Sequence, residues 1–212
     1  MTKSKYILPK PHLSWSQMTC WESSPARYRR EYFEAGRKLD TKYLRFGKGI
    51  AEMIEKNEHT DLLPDLEVYD TPEYKIVSNV RGVPILSFVD TYNDVATDTV
   101  PANVFREYKT GKIPWTKAKV IKHGQLLFYA VALKYDKGVA PLYCHLDWIQ
   151  TKVGSVEVDD FWRKNEKEVQ ITGKIVEFRR DFDERELDKM EERIVKAAEG
   201  IEEAYREFIK EI

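Results

Sequence analysis

The chain has 212 residues, of which 42% are hydrophobic and 12% aromatic, a composition that predicts a folded protein with a sizeable core and argues against disorder. No apolar run approaches the ~20 residues of a membrane span, and the start of the chain lacks the apolar core of a secretory signal. Cys20 and Cys144 are the only cysteines, too few for a four-thiolate zinc or iron–sulfur site. We therefore expect a cytoplasmic protein.

The formal net charge of −1 hides an uneven distribution of charge. Residues 181–212 contain 12 acidic and 6 basic residues, which leaves 29 basic and 24 acidic residues, a net charge of +5, for residues 1–180. Two basic groups in that part are candidates for phosphate contacts. They are the acid-free stretch with Lys109, Lys112, Lys117, Lys119 and Lys122, and the cluster of Arg27, Arg29 and Arg30. Either group is equally well explained as a solvated face.

Three helices are predicted in the first part of the chain. Ser14 is a suitable N-cap for the first, and Ser24, followed by Pro25 at the first helical position, for the second. The third helix is predicted from about Tyr43 to about Asn57. Its apolar positions follow the i, i+4, i+7, i+8 spacing of one buried face: Phe46, Ile50, Met53 and Ile54.

After a loop around Pro64, the hydrophobic pattern takes the period of β-strands. Strands are predicted at 74–80 and 83–92, joined by a hairpin turn at Arg81-Gly82, and a third at 102–109.

The second half of the chain begins with a predicted helix. Thr116 is expected to cap one long, buried helix that runs to about Tyr135. Beyond Lys137-Gly138, strands are predicted at 142–150 and 170–180, with a polar loop at 153–167 between them. An amphipathic helix from Asp183 to Ile212 closes the chain.

This order of elements predicts an α/β fold with a central mixed β-sheet flanked by helices on both faces, N-terminal helices and a long C-terminal helix. We see no internal repeat and no linker, so residues 1–212 are expected to form one domain. Its parts are the N-terminal helices in 1–60, the sheet and a helix in 70–182, and the closing helix in 183–212.

Charged side chains lie on two consecutive predicted strands. Asp90 ends one strand, and Glu107-Tyr108-Lys109 lies on the next. Two carboxylates on adjacent strands can hold one or two Mg²⁺ ions. Lys109 projects to the same face as Glu107 because side chains alternate along a strand. There it can orient a hydrolytic water or neutralise charge that develops on a phosphate. The pattern therefore predicts a metal-dependent site for phosphodiester cleavage.

A second copy of this pattern, Asp65 with Glu73-Tyr74-Lys75, competes with the first. Asp65 lies in a predicted loop, whereas Asp90 ends a hydrophobic strand. The downstream copy also leads into a helix on which Gln125 and Tyr129 lie four residues apart on one face. We therefore favour the downstream copy. The upstream glutamate and lysine are interpreted as polar residues of an edge strand, where charge discourages pairing with another chain.

The series Asp90…Glu107-Tyr108-Lys109-Thr110-Gly111…Gln125…Tyr129 resembles the PD-(D/E)XK nuclease superfamily, specifically the phage-type members of its RecB-like exonuclease branch. That branch carries an Asp at a strand end, a (D/E)-x-K-T-G strand and a Gln-x-x-x-Tyr helix in this order. Two upstream segments extend the resemblance to residues 13–130. They are Leu13-Ser14-Trp15-Ser16 with Pro25, Tyr28 and Tyr32, and Phe46-Gly47-Lys48-Gly49-Ile50-Ala51-Glu52, which resembles the Gly-x-x-x-His helix of the branch.

The resemblance implies a restriction-endonuclease-like core and a metal-dependent deoxyribonuclease that acts on DNA ends or single strands. It places the protein in DNA recombination, repair or phage DNA processing, in a bacterial cell or a phage-infected host. The expected partner is DNA, single-stranded or as duplex ends. A recombination protein or further copies of the chain are compatible with it, and a membrane is not expected.

Site roles follow from the same resemblance. Asp90 and Glu107 would bind Mg²⁺ or Mn²⁺ together with the carbonyl of Tyr108, and Lys109 would position the attacking water. The Gln-x-x-x-Tyr pair, Gln125 and Tyr129, would fix the substrate strand or the lysine, although packing explains the tyrosine equally well.

The chain departs from the pattern of the branch in two ways. Ala51 stands where the branch often has a metal-binding His. A helix glutamate is the expected substitute, and at about 100° per residue Glu55 lies closer to Ala51 on the helix surface than Glu52 does. We therefore favour Glu55 over Glu52, while an exposed acid explains either. The iron–sulfur members of the branch have four cysteines, so no iron–sulfur cluster is expected here.

An alternative function is a nuclease-fold protein without turnover that binds nucleic acid or a recombination partner. Ala51 and the low net charge favour it, and the presence of both carboxylates and the lysine argues against it. The acidic closing helix is compatible with covering the sheet, mediating assembly or imitating DNA. Packing on the same domain is the simplest expectation for it.

Overall fold

The computed structural model describes residues 5–34, 41–157 and 167–211. The helices within these ranges are α1 (Trp15–Ser23), α2 (Pro25–Tyr28), α3 (Lys42–Glu55), α4 (Lys117–Ile121), α5 (Gly124–Lys137) and α6 (Glu184–Glu211), with a π-helical segment at Arg29–Phe33. The strands are β1 (Thr71–Val80), β2 (Val83–Asn93), β3 (Val104–Gly111), β4 (Tyr143–Glu157) and β5 (Lys167–Asp181). None of the described helices has the length and apolar character of a membrane span.

The strands form one mixed sheet in the order β1-β2-β3-β4-β5. All neighbours are antiparallel except β3 and β4, which are parallel. A parallel pair needs a crossover connection, and α4 and α5 supply it. One face of the sheet packs on α1, α5 and α6. On the other face, Ile50 and Ile54 of α3 pack with Tyr108 of β3 and Ile149 of β4. The predicted α/β fold with a central mixed sheet is thereby confirmed.

The predicted helix starts are confirmed by side-chain caps. The Ser14 side chain accepts a hydrogen bond from the backbone N–H of Gln17 at the start of α1, and the Ser24 side chain accepts one from Arg27 at the start of α2. Such caps satisfy N–H groups that have no partner inside the helix. The closing helix α6 packs on α1 and α5, as the simplest expectation had it.

The helix predicted over 116–135 is in fact two helices. His123 takes an extended conformation between α4 and α5, and its carbonyl accepts a hydrogen bond from the backbone N–H of Leu126. The second helix begins at Gly124, where an added Cβ would lie only 2.6 Å from the ring of Trp15. The absence of a side chain at Gly124 therefore lets Trp15 of α1 lie close to the start of α5.

Two strands extend into the segment predicted as a polar loop over 153–167. β4 continues to Glu157 and β5 begins at Lys167, with Val153 paired to Val169; residues 158–166 of the predicted loop lie outside the described ranges. Ladder hydrogen bonds are made by the backbone, so polar side chains do not prevent the pairing. For the same reason β3 continues to Gly111, past the predicted end of the strand at 109.

An ion cluster around the buried side chain of Arg106 joins β3, β4 and β5. The side chain of Arg106 on β3 is 1% exposed and lies 2.7 Å from Asp147 of β4 and 2.7 Å from Glu177 of β5. Glu67, before β1, pairs with the same guanidinium. Burial raises the pKa of Asp147 to about 6 in spite of the adjacent arginine. The cluster therefore links β3 to β4 and β5 through side-chain ion pairs.

We expect Arg106→Met to destabilise the fold by about 3–5 kcal/mol, because it leaves Asp147 buried without its counter-charge. Adding Asp147→Leu to this variant should restore most of the loss, since an apolar pair replaces the ion pair. Arg179→Met is the control, because Arg179 and its partner Asp181 are 55% and 70% exposed and exposed pairs contribute ~1 kcal/mol or less. Urea unfolding measures all three; equal losses for the two arginine substitutions would contradict the role of the cluster.

Candidate active site

Asp90 lies where β2 and β3 stop pairing. The ladder between these strands joins Asn93 to Val104 and ends at Thr91 and Arg106. One residue further along, the Asp90 carboxylate replaces a backbone carbonyl and accepts a hydrogen bond of 2.6 Å from the backbone N–H of Tyr108. The consecutive strands are therefore adjacent, as predicted, and Asp90 reaches the residue that follows Glu107.

Glu107 and Lys109 form an ion pair on the middle strand of the sheet. Lys109 Nζ lies 2.6 Å from Oε1 of Glu107, because two residues along a strand share a face. The second oxygen, Oε2 of Glu107, is buried and has no hydrogen-bond partner. Burial raises the pKa of Asp90, and the Glu107 carboxylate raises it further. Although burial opposes its charge, the two acids hold the pKa of Lys109 above its ordinary value, so the lysine is a cation at neutral pH.

The start of α5 places the predicted glutamine and tyrosine, Gln125 and Tyr129, near Glu107 and Lys109. Gln125 Nε2 donates to the hydroxyl of Tyr129 at 2.6 Å, and His123 Nε2 lies 3.2 Å from Oε1 of Gln125. Burial and then the charge of Lys109 lower the pKa of His123 to about 4. Burial and the Glu107 carboxylate raise the pKa of Tyr129. At neutral pH the histidine is therefore uncharged and the tyrosine keeps its proton.

Glu73 belongs to this cluster, although the sequence interpretation placed it on a solvent-facing edge. In the hairpin, Pro72 pairs with Thr91 and Tyr74 with Val89, so Glu73 stands opposite Asp90. Its φ of 47° is rare for a residue other than glycine and marks local strain. Burial raises the pKa of Glu73, and the carboxylates of Glu55 and Glu107 add to the shift.

Hairpin geometry explains why Glu73 lies opposite Asp90. A two-residue turn at Arg81-Gly82 determines the register of the whole hairpin, and that register places residue 73 opposite residue 90. The edge-strand interpretation holds for Lys75, which is exposed on β1. The predicted turn at Arg81-Gly82 therefore already indicates that Glu73 lies opposite Asp90.

The two candidate acids of α3 have different charged neighbours. Glu55 is exposed, and its charge, after burial, raises the pKa of Glu73. Glu52 instead pairs with Lys48 one turn earlier at 3.5 Å, and both side chains are more than half exposed. The preference for Glu55 stays a prediction from the 100° spacing of helix residues.

The oxygen atoms present suit a hard divalent cation that is only partly held by protein. Among the residues that the structure describes, no three His, Cys, Asp or Glu side chains form a ready-made metal site. Mg²⁺ characteristically takes one or two carboxylates, keeps several waters and binds substrate phosphates. Asp90, the unpartnered oxygen of Glu107 and the Tyr108 carbonyl match that mode of binding.

The predicted phosphate-contacting residues differ in their surroundings. Lys112, Lys117, Lys119 and Lys122 are exposed near the start of α5. The ammonium of Lys119 lies 3.9 Å from the Trp115 ring centroid, and its charge contributes, after burial, to the lowered pKa of His123. The lysine stretch therefore adjoins the acidic cluster.

The arginine cluster is partly neutralised. Arg27 lies 2.7 Å from Glu31, and Arg29 lies 2.6 Å from Glu211 at the end of α6. Arg30 is exposed beside them. Two of these three arginines already have acidic partners, so the lysine stretch is the better candidate for phosphate contacts.

The amino-terminal segment lines a groove beside the glutamine and tyrosine of α5. Leu13 is fully buried and forms a bridge to Ile85 of β2, which holds the following residues against the sheet. The groove has a volume of about 440 Å³, and its lining includes Ser14, Gln125 and Tyr129. The Leu13-Ser14-Trp15-Ser16 segment and the Gln-x-x-x-Tyr helix, both of which resemble the exonuclease branch, are therefore close together in space.

No protein-family model matches the chain, and no curated protein does. Among solved structures, a phage-related exonuclease from Haemophilus somnus 129PT is similar with a TM-score of 0.53 and 14% identity, covering 92% of this chain and 83% of that one. A candidate exonuclease from Eubacterium rectale is similar with a TM-score of 0.51 and 9% identity, covering 90% and 82%. At these identities the likeness establishes a shared fold.

We expect Glu73→Gln to raise the midpoint of thermal unfolding at pH 7 in the presence of EDTA. The raised pKa of Glu73 means that its charged form is less favourable in the folded state than in the unfolded chain, so stability falls as pH rises above its unfolded pKa of about 4.3. The gain should therefore shrink towards pH 4. Glu58→Gln, at an exposed position after α3, is the control; an equal shift in both variants would argue against the acidic cluster.

Proposed function

We propose that this chain is a metal-dependent deoxyribonuclease of the PD-(D/E)XK superfamily, in its RecB-like exonuclease branch. The observation that carries the proposal is the buried carboxylate of Glu107, which lies close to the carboxylate of Asp90. One oxygen of Glu107 is paired with Lys109, and the other has no hydrogen-bond partner. The fold shared with two structures named as exonucleases supports it. DNA ends or single strands are the proposed substrate, in recombination, repair or phage DNA processing.

Asp90 and Glu107 would hold Mg²⁺ or Mn²⁺, together with the carbonyl of Tyr108. When bound, the ion supplies Lewis-acid polarisation of the phosphate and lowers the pKa of a bound water. Burial and then the charge of Glu107 raise the pKa of Asp90, and a nearby positive charge lowers it. Metal binding and the ionisation of Asp90 are therefore coupled.

Lys109 acts in this proposal as a cation. Its raised pKa, against the opposing effect of burial, makes it a poor proton acceptor at neutral pH. A protonated lysine can donate hydrogen bonds to an attacking water or to a phosphate oxygen on which charge develops. It would therefore orient and stabilise, and the removal of a proton from water falls to another group.

Gln125 and Tyr129 would bind the substrate strand. The Gln125 amide donates to the Tyr129 hydroxyl, which leaves the hydroxyl proton available for an acceptor such as a phosphate oxygen. The raised pKa of Tyr129, caused by burial and then by Glu107, keeps this proton in place. The tyrosine is thereby prepared as a donor, in addition to packing in the core.

The central test is degradation of linear single- and double-stranded DNA by the purified protein with Mg²⁺ or Mn²⁺. Asp90→Ala and Lys109→Ala should each lower the rate by about 100-fold or more, the scale for removing one group that stabilises transition-state charge. Lys75→Ala is the matched control, because Lys75 belongs to the look-alike motif and is exposed on β1. Degradation that survives both site substitutions would show that the site is wrong. End-labelled and circular substrates then separate exonuclease from endonuclease action.

A second candidate is a nuclease-fold protein that binds DNA without cleaving it. Ala51 at the usual histidine position and the low formal net charge of −1 favour it. Titration calorimetry with Mn²⁺ separates the two candidates. A wild-type protein that binds DNA but shows no Mn²⁺ signal supports the binding function, whereas a signal that Asp90→Ala abolishes supports the nuclease.

A further inference from the structure

A groove lies between the start of α3 and the end of β3, directly beside the catalytic lysine of the proposed nuclease. Its volume is about 450 Å³, within the range of ~300–1,000 Å³ that is typical of ligand sites. We call it the α3 groove and define it by Tyr43, Leu44, Gly47, Lys48, Lys109 and Thr110, which are among the residues that line it.

The apolar side of the α3 groove is exposed. Tyr43 and Leu44 are 55% and 60% exposed, whereas Ile50 and Ile54 on the same helix are buried against the sheet. Two adjacent large apolar side chains at the start of α3 thus contribute little to the core. The tyrosine ring offers a flat surface of the kind on which nucleobases stack.

The charged residues that line the α3 groove are two lysines, Lys48 and Lys109. Each is paired with a glutamate that does not line the groove, Lys48 with Glu52 at 3.5 Å and Lys109 with Glu107 at 2.6 Å. The neighbouring cluster has the opposite character, because it contains the carboxylates of Asp90, Glu107 and Glu73. A ligand with an apolar ring next to a phosphate at Lys109 would therefore find its ring partners, Tyr43 and Leu44, in the groove.

We propose that the α3 groove binds the unpaired nucleobase next to the phosphate that is cleaved, with the base stacked on Tyr43 and packed against Leu44. The inference rests on the proposed nuclease function, which places a phosphate at Lys109. Bases inside a duplex have their faces covered by neighbours and must leave the stack to bind in this way. The groove therefore selects single strands or frayed ends.

Gly47 leaves room for the base. A Cβ at this position would lie 3.6 Å from Oγ1 of Thr110, an ordinary contact, so a larger side chain would extend into the groove without a backbone clash. Gly49 lies on the same helix, is exposed and would have no atom within 4 Å of an added Cβ. The two glycines therefore form a matched pair, one lining the groove and one facing solvent.

The first test compares Gly47→Leu with Gly49→Leu. Both remove a helix-interior glycine, which favours the helix, and thermal unfolding checks that both variants are folded. We expect Gly47→Leu to lower kcat/KM on a single-stranded oligonucleotide at least about fivefold, the lower end of the effect of losing one base stack. Gly49→Leu should stay within about twofold of the wild type, as surface substitutions usually do.

The second test identifies the base itself. Single-stranded oligonucleotides that carry one abasic position, moved along the strand, should show one position at which the wild type loses rate. Tyr43→Ala should lose a similar factor on the intact strand and no longer depend on the base at that position. Tyr43→Phe keeps the ring and should behave as the wild type does.

The outcomes separate this inference from the proposed function. DNA degradation that is unchanged in Gly47→Leu and Tyr43→Ala overturns the base site and leaves the nuclease standing. A loss in Tyr43→Ala that keeps the same dependence on the abasic position also overturns it. A wild-type protein that degrades no DNA with either ion overturns the nuclease, and the base site with it.

Discussion

A buried carboxylate in the middle strand of the sheet is the constraint on which the rest of the site depends. Glu107 is 3% exposed, and a buried charge is costly unless it is paired and hydrogen-bonded. Lys109 compensates one of its oxygens and leaves the other without a partner. Asp90 and Glu73 add further negative charge at the same point, so the fold maintains an unmet demand for positive charge beside a fixed lysine. A divalent cation would supply that positive charge.

The two faces of β3 show how the same chemistry serves structure and function differently. Arg106 has three carboxylate partners, Asp147, Glu67 and Glu177, so its charge is met within the protein and the cluster stabilises strand register. Glu107, the next residue, points to the other face, and only one of its two carboxylate oxygens has a partner. Alternation along a strand thus places a structural ion cluster and a candidate active site next to each other, and the first holds the second in position.

The acid pair, the lysine and the glutamine–tyrosine pair follow from short-range rules. Consecutive strands joined by a short connection tend to be neighbours, which brings Asp90 to β3, and period-2 and i, i+4 spacing place Lys109 and Gln125. The caps at Ser14 and Ser24 follow from equally local hydrogen bonds. These interactions join residues that are close in sequence, and for that reason a pattern of residues is enough to predict them.

What the sequence by itself determined is the order of the elements, their buried faces and the residues of the acid–lysine motif. Only the tertiary structure decided that the predicted long helix breaks before Gly124 and that the ring of Trp15 packs against this glycine. The α3 groove is likewise visible only after α3 docks beside the end of β3. Each of these features depends on how segments far apart in the chain approach one another, and local spacing carries no information about that distance.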